Sequence, residues 1–179
     1  MMLFMPKTIH NSETPAQGEQ IITACAFIHH NFSGIEKVFL PKRAPTKKFL
    51  PNVYELPGGH IEYGENIVSG LQREIREEFG MNNIIGDPFY VFTYTNDIKG
   101  SHSIEVIYFA TFADPIDMIT LNPEDHATFG WFAEFEISNI AHENNRDGDL
   151  EIKAIMKGFR ILWGERYNLG TSKYVVVKI

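Results

Sequence analysis

Gly59-x5-Glu65-x7-Arg73-Glu74-Ile75-x-Glu77-Glu78-x-Gly80-Met81 is the stretch on which the reading of this chain turns. Glu74, Glu77 and Glu78 are spaced by three and four, so on a helix all three point to one side. Like charges at that spacing repel on a bare surface helix. A hard divalent cation is the natural compensation, because Mg²⁺ takes oxygen ligands, keeps several waters and binds substrate phosphates. The helix is predicted to begin near Glu65 or Asn66, with Ile67, Val68, Leu71, Ile75 and Phe79 as its core stripe. Gly80 ends it in the usual C-terminal glycine position. Gly70 inside it costs ~1 kcal/mol relative to Ala, which calls for another element packed close there.

Working outward, residues 7–20 are polar and broken by Pro15 and Gly18, so residues 1–20 read as a loose leader. Ile21–Ile28 and Glu36–Leu40 are apolar runs separated by the turn-forming Asn31-Phe32-Ser33-Gly34, a hairpin pattern. Pro41–Pro51 is basic and proline-broken, hence a loop. Val53–Leu56 reads as a short strand ending at Pro57-Gly58-Gly59. Phe89–Thr95 and Ile104–Phe112 are rich in β-branched and aromatic residues and read as strands; Phe129–Ala133 is a further one. Leu150, Ile152, Ile155, Met156, Phe159 and Leu162 fit an amphipathic C-terminal helix. Tyr174–Val177 is a candidate last strand that could pair with an edge or a second subunit. The order of strands and helices predicts one α/β domain over residues 21–179, with a mixed sheet between helices.

The chain has 179 residues, 44% of them hydrophobic and 13% aromatic, enough for one domain with a sizeable core. Its net charge of −7 argues against a general nucleic-acid surface, which needs a basic footprint. It leaves room for a nucleotide site, because a metal ion screens phosphate from carboxylates. Cys25 is the single cysteine and lies in an apolar run, so it reads as a packing thiol. Met1–Pro6 is too short for a signal-peptide core, and no apolar run approaches a membrane span. The expectation is a soluble, cytoplasmic protein with no membrane partner.

The Gly59–Met81 stretch resembles the box of the Nudix hydrolases, which cleave nucleoside diphosphates linked to another group, and every fixed position is filled. At average residue usage such a match at one start point has a chance on the order of 10⁻⁹. The resemblance covers about residues 21–163. It implies the family's α/β/α sandwich and a Mg²⁺ cofactor, with Mn²⁺ as a substitute. It further implies Glu74 and Glu78 as core metal ligands, Glu77 as another, and the Gly58 carbonyl as a fourth. Arg73 would orient a box carboxylate, with Glu65 as its partner. For the general base, Glu74 is the first candidate and Glu124 the alternative, since Glu124-Asp125-His126 resembles the Glu/His stretch many members carry before a late tryptophan. Gly130 stands before Trp131 where the dGTP-sanitising branch has a glutamate.

Lys42 and Arg43 are candidate phosphate contacts, Arg43 matching an arginine of the dGTP-cleaving branch. Phe27 or Tyr90 for stacking, and Asn144, Asn145, Asp147 or Asp149 for polar contacts, are candidates for recognising the base. The leading function is Mg²⁺-dependent hydrolysis of a phosphoanhydride, with (d)NTPs as first substrate class and a small-molecule nucleotide as partner. ADP-ribose, sugar nucleotides and dinucleoside polyphosphates stay open as substrates. Two other classes are a non-catalytic nucleotide sensor and the isomerase relative that uses a cysteine. A homodimer is a common arrangement and stays open.

Overall fold

The computed structural model describes residues 15–143 and 148–164. One six-stranded mixed sheet carries the domain. Its strands are β1 (Gln20–Phe32), β2 (Ile35–Arg43), β3 (Gly58–His60), β4 (Asn83–Asn96), β5 (Ser101–Phe112) and β6 (His126–Ala133). The helices are α1 (Ile67–Phe79), α2 (Glu134–Glu143) and α3 (Leu150–Leu162). The strand order is β4-β5-β1-β2-β6, with β3 also paired to β1. The β1–β5 pair is parallel and the others antiparallel, which makes the sheet mixed as expected.

β1 changes partner along its length, and this opens the sheet where the site lies. Its C-terminal end, His29–Phe32, pairs with β2 across the Ser33-Gly34 turn, whose two residues have φ of 53° and 95°. Positive φ at both central positions is the type I′ geometry that matches strand twist. Its N-terminal half, Thr23–Cys25, pairs instead with β3. The amide of Ala26 donates to the Pro57 carbonyl at 2.8 Å, bridging the fork.

Strand alternation divides the core into two layers. Ala24, Ala26 and Ile28 face α1, where they meet Phe39, Leu71, Ile75, Phe79 and Met81. Cys25 and Phe27 face the other way, toward Ile137 and Ile140 of α2 and Ala154, Ile155 and Phe159 of α3. Helices thus cover both faces of the sheet. The C-terminal amphipathic helix is α3, capped by the Asp149 carboxylate, which accepts from the amides of Glu151 and Ile152. Gly158 lets this helix approach Phe27, since a Cβ there would lie 2.7 Å from the ring.

Several expectations are corrected. Val53–Leu56 is not a strand: Tyr54 makes one isolated bridge to Lys42, and the ladder forms at Gly58–His60. Pro57 lacks a donor, while the side-chain-free pair after it can lie flat on β1. β2 runs on to Arg43, into the segment read as a loop. The helix α2 lacks a clear 3.6-residue stripe, with Ser138 and Asn139 interrupting it, and gave no sequence signal. Residues 15–20 belong to the segment read as a leader, yet Ala16 is buried and its amide donates to the Lys99 carbonyl. The proposed strand at 174–177 lies outside the described residues.

Two glycines differ in why they are needed. Gly80 has φ 66° and closes α1 through its amide to the Arg76 carbonyl, with no close neighbour for a Cβ. Gly58 has φ 145°, and a Cβ there would collide with the backbone of Ala24 and Cys25. Gly80→Ala is therefore expected to cost about 1–2 kcal/mol, the left-handed penalty alone. Gly58→Ala is expected to cost roughly 3 kcal/mol, because strain and backbone separation add. Urea unfolding of the two variants checks this; equal costs would contradict the close approach at Gly58.

Candidate active site

Helix α1 starts at Asn66, whose side-chain oxygen accepts from the amides of Val68 and Ser69. That cap fixes the phase of the helix and so the side on which its carboxylates lie. Glu74 and Glu78 are buried, at 4% and 7% exposure. Glu77 stands on the flank, with its side chain 33% exposed. All three belong to one stretch of helix at the end of the β1–β3 fork.

Arg73 organises this stretch. Its Nε and Nη2 donate to the two oxygens of Glu65, each at 3.0 Å. Its Nη1 donates to Glu74 Oε1 at 2.8 Å and reaches Glu77 at 3.4 Å, and Nη2 also donates to the His60 carbonyl at 3.1 Å. The bidentate bond to Glu65 is the strong, directional kind. Hydrogen bonding to Glu65 first, and the carboxylate of Glu74 next, raise the Arg73 pKa against its own desolvation. The same bond holds the Glu65 carboxyl below the usual carboxylate range. The pairing predicted between Arg73 and Glu65 is thus present, and Arg73 also reaches two box carboxylates.

Glycines shape the space around these groups. A Cβ on Gly59 would lie 2.7 Å from the Glu74 carboxylate, so glycine there gives that side chain its room. The reason for Gly70 is now visible: a Cβ would lie 2.7 Å from Glu65 Oε2 and 2.8 Å from Ile61. The element close to α1 at that point is the loop carrying Glu65 back to Arg73.

Glu78 Oε2 is buried with no hydrogen-bond partner. Burial first, then the charges of Glu74, Asp125 and Glu55, push the Glu78 carboxyl well above the ordinary range, with Arg43 acting in opposition. An orphaned buried carboxylate oxygen costs free energy unless something occupies it. Hard oxygen donors without thiolate or imidazole are the chemistry that suits Mg²⁺. Among the described residues, however, no three acidic, histidine or cysteine side chains are already gathered around one point. Glu74 is drawn to Arg73, and Glu77 would have to swing in from its exposed flank.

A cleft of about 490 Å³ runs from Glu74, past Gly58, Gly59 and His60, to the N-terminus of α3. Thr23, Cys25, Phe92, Tyr94 and Glu105 also line it, together with Arg43, Glu55, Phe49 and Glu151. Its size suits a nucleotide-scale ligand. Arg43 reaches this cleft, but its Nε donates to the Phe49 carbonyl and its Nη1 to Glu55, each at 3.0 Å. The Glu55 carboxyl is lowered although burial opposes it, because Arg43 and His126 both favour its charge. Lys42 points away, since neighbours on a strand alternate, and its Nζ lies 5.1 Å over the Tyr54 ring. It is absent from the cleft lining.

Glu124 is exposed and off the cleft, and its amide donates to Asn122 Oδ1. The buried members of that stretch are its neighbours. Asp125 receives Lys47 Nζ and Asn122 Nδ2, both at 2.6 Å, and His126 Nε2 lies 3.2 Å from Glu55. Phe27 is fully buried among Phe89, Phe109 and Phe159, and Tyr90 lies under Lys157, so neither faces the cleft. Asn144, Asn145 and Asp147 lie outside the described residues; Asp149 lines the cleft. Burial first, then Glu105, pushes the Cys25 thiol well up, which suits the packing role.

Sequence reading missed Glu105, Glu151, Phe49 and Tyr94. For Glu105 a signal existed: it is a lone acid at an inward position of an apolar strand. For the others none did, because long-range folding brings them to the cleft.

The model of the NUDIX domain matches residues 21–152. An m7GpppN-mRNA hydrolase NUDT17 of Xenopus laevis is 41% identical over 46 residues, 26% of this chain and 16% of that protein. A nucleoside triphosphatase NudI of Salmonella arizonae is 40% identical over 60 residues, 34% of this chain and 42% of that protein. The match thus spans less than half the length of these curated relatives. A C. elegans Ap4A hydrolase structure superposes with a TM-score of 0.64 at 19% identity, over 80% of this chain and 97% of that one. That likeness shows the fold, the Nudix α/β/α sandwich. With the family's domain spanning most of its length, the chain belongs to the NUDIX family.

Proposed function

We propose that this chain is a Mg²⁺-dependent hydrolase that cleaves a phosphoanhydride in a nucleoside diphosphate linked to another group, with (d)NTPs as first substrate class. The observation that carries this reading is the buried, unpartnered Glu78 Oε2 beside Glu74. Glu74 and Glu78, with Glu77 swung inward, would hold the cation. When bound, Mg²⁺ supplies neutralising charge for the diphosphate and a water of lowered pKa. Membership in a family whose relatives carry the names nucleoside triphosphatase and m7GpppN-mRNA hydrolase supports the reaction class.

The chain's own groups then have separate tasks. Arg73 fixes Glu74 through Oε1, and Glu74 is the first candidate for the group that takes the water's proton. Glu65 holds Arg73 in that pose from the other side. Glu124, exposed and away from the cleft, is the weaker candidate for base. Arg43 uses Nε and Nη1 on protein oxygens and presents Nη2, which carries two further N–H donors, to a phosphate. Lys42 lies outside the cleft lining, over the Tyr54 ring. The sensor reading loses ground because every box carboxylate is present.

Glu78→Gln is expected to lower turnover roughly 10²-fold or more at saturating Mg²⁺. A panel of dNTPs, ADP-ribose, sugar nucleotides and dinucleoside polyphosphates, read by product mass, checks this. Near-wild-type turnover in the variant contradicts the metal role, and no turnover by wild type on any substrate favours the sensor.

The same substitution has the opposite effect on the metal-free fold. A carboxyl raised on folding binds more protons folded than unfolded between its two pKa values. The contribution of Glu78 to stability in EDTA therefore falls as pH rises above the ordinary 4.5 toward the raised value. Glu78→Gln removes that loss, so in EDTA the variant should melt higher than wild type at pH 8, with the gap closing toward pH 4. A variant that melts lower at pH 8 contradicts the strain assigned to Glu78.

A further inference from the structure

One carboxylate in the cleft has no task in hydrolysis. Glu105 lies on β5, in register with Thr23 of β1 on one side and Phe92 of β4 on the other. It is 7% exposed and lines the cleft. The next inward residue along the strand, Ile107, is fully buried in the core. Glu105 therefore sits where the row of inward side chains passes from core to ligand space.

Its surroundings are those of a base-binding floor. The Thr23 hydroxyl lies 3.5 Å from Glu105 Oε2 and donates to the Ile104 carbonyl at 3.2 Å. Tyr94 pairs with Ser103 across the β4–β5 ladder, and its phenol is pushed up, by burial first and then by the charge of Glu105. Phe49 stacks on Tyr94 with ring centroids 6.2 Å apart and planes 15° from parallel. Phe92 continues this wall at 6.2 Å from Tyr94. Aromatic rings beside a few polar groups are the arrangement that holds a nucleobase, and the near-parallel Phe49 and Tyr94 supply the faces here.

The polar group then decides which base. An ionised carboxylate accepts hydrogen bonds at two oxygens and donates none. Guanine presents two adjacent donors on one edge, N1–H and the exocyclic N2 amine, which match two carboxylate oxygens. Adenine and cytosine present one amine beside a lone-pair nitrogen. Uracil and thymine present one N–H between two carbonyls. Each of those would set a lone pair against a carboxylate oxygen in a site shielded from water, where such mismatches are costly.

We propose that Glu105 is a specificity-determining residue that selects guanine nucleotides by accepting from this donor edge. The base lies against Phe49 and Tyr94, and its phosphates run past Gly58 and Gly59 toward Glu74. Only the phosphate end of this pose rests on the hydrolase reading; the choice of base is read from the cleft floor.

The test compares guanosine, adenosine and uridine nucleotides in two ways: kcat/KM of the triphosphates with Mg²⁺, and metal-free calorimetric binding of the monophosphates. Wild type should favour guanosine by about tenfold or more, the scale of one good bidentate pair. Glutamine offers one acceptor and one donor, the complement of adenine. Glu105→Gln should therefore erase or invert the guanosine-to-adenosine ratio, mainly through KM. Phe49→Ala should weaken all three bases alike and keep the ratio. A wild type without base preference, or a Glu105→Gln protein that keeps the wild-type ratio, overturns the assignment and leaves the hydrolase reading standing. Guanosine preference in binding without turnover sinks the hydrolase reading and supports this one.

Discussion

Two carboxylates, Glu74 and Glu78, are buried side by side on α1, and most of the local architecture answers that fact. Like charges in a low-dielectric setting cannot both be accommodated without compensation. The protein supplies part of it. Arg73 binds Glu74 directly and is locked by Glu65, and Arg43 opposes the rise in Glu78 from the other side. The remainder is left over as an unpartnered oxygen on Glu78. Folding thus stores an electrostatic deficit that a hard cation and its phosphate ligand would relieve.

The fork in β1 makes the same site reachable from the other face of the sheet. Because Thr23–Cys25 pairs with the short β3, the Gly58-Gly59 backbone lies between the α1 carboxylates and the α3 side. Glycine at both positions is a matter of clearance: one meets backbone, the other meets Glu74. A ligand can then place phosphates near α1 and extend along a cleft floored by β1, β4 and β5. Arg43 and His126 both meet Glu55 beside the cleft, and Asp125 holds Lys47 separately. These contacts are a scaffold first, and Arg43 gives its Nη1 to Glu55.

What the sequence made legible was what depends on local spacing. The helix α1, its closure at Gly80, the Arg73–Glu65 pair and the α3 stripe all follow from residues within a few turns of one another. Gly70 was anomalous by propensity alone and became clear only when Glu65 and Ile61 were seen against it. The strand expected at Val53–Leu56 illustrates the opposite case, since pairing is decided by a distant partner and β1 accepted Gly58–His60 instead. Lys42 and Arg43 looked equivalent in the chain, yet alternation along β2 sends them to different sides. The cleft's aromatic wall joins residues 49 and 94, a contact no local pattern encodes.

The central claim is that a divalent cation settles between Glu74 and Glu78, and Mn²⁺ anomalous diffraction from crystals grown with a non-hydrolysable nucleotide tests it most directly. The account predicts an anomalous peak about 2 Å from oxygens of both carboxylates, with Glu77 turned inward and the phosphates beside it. A peak elsewhere on the surface, with Glu78 Oε2 still unpartnered in the loaded crystal, would contradict it.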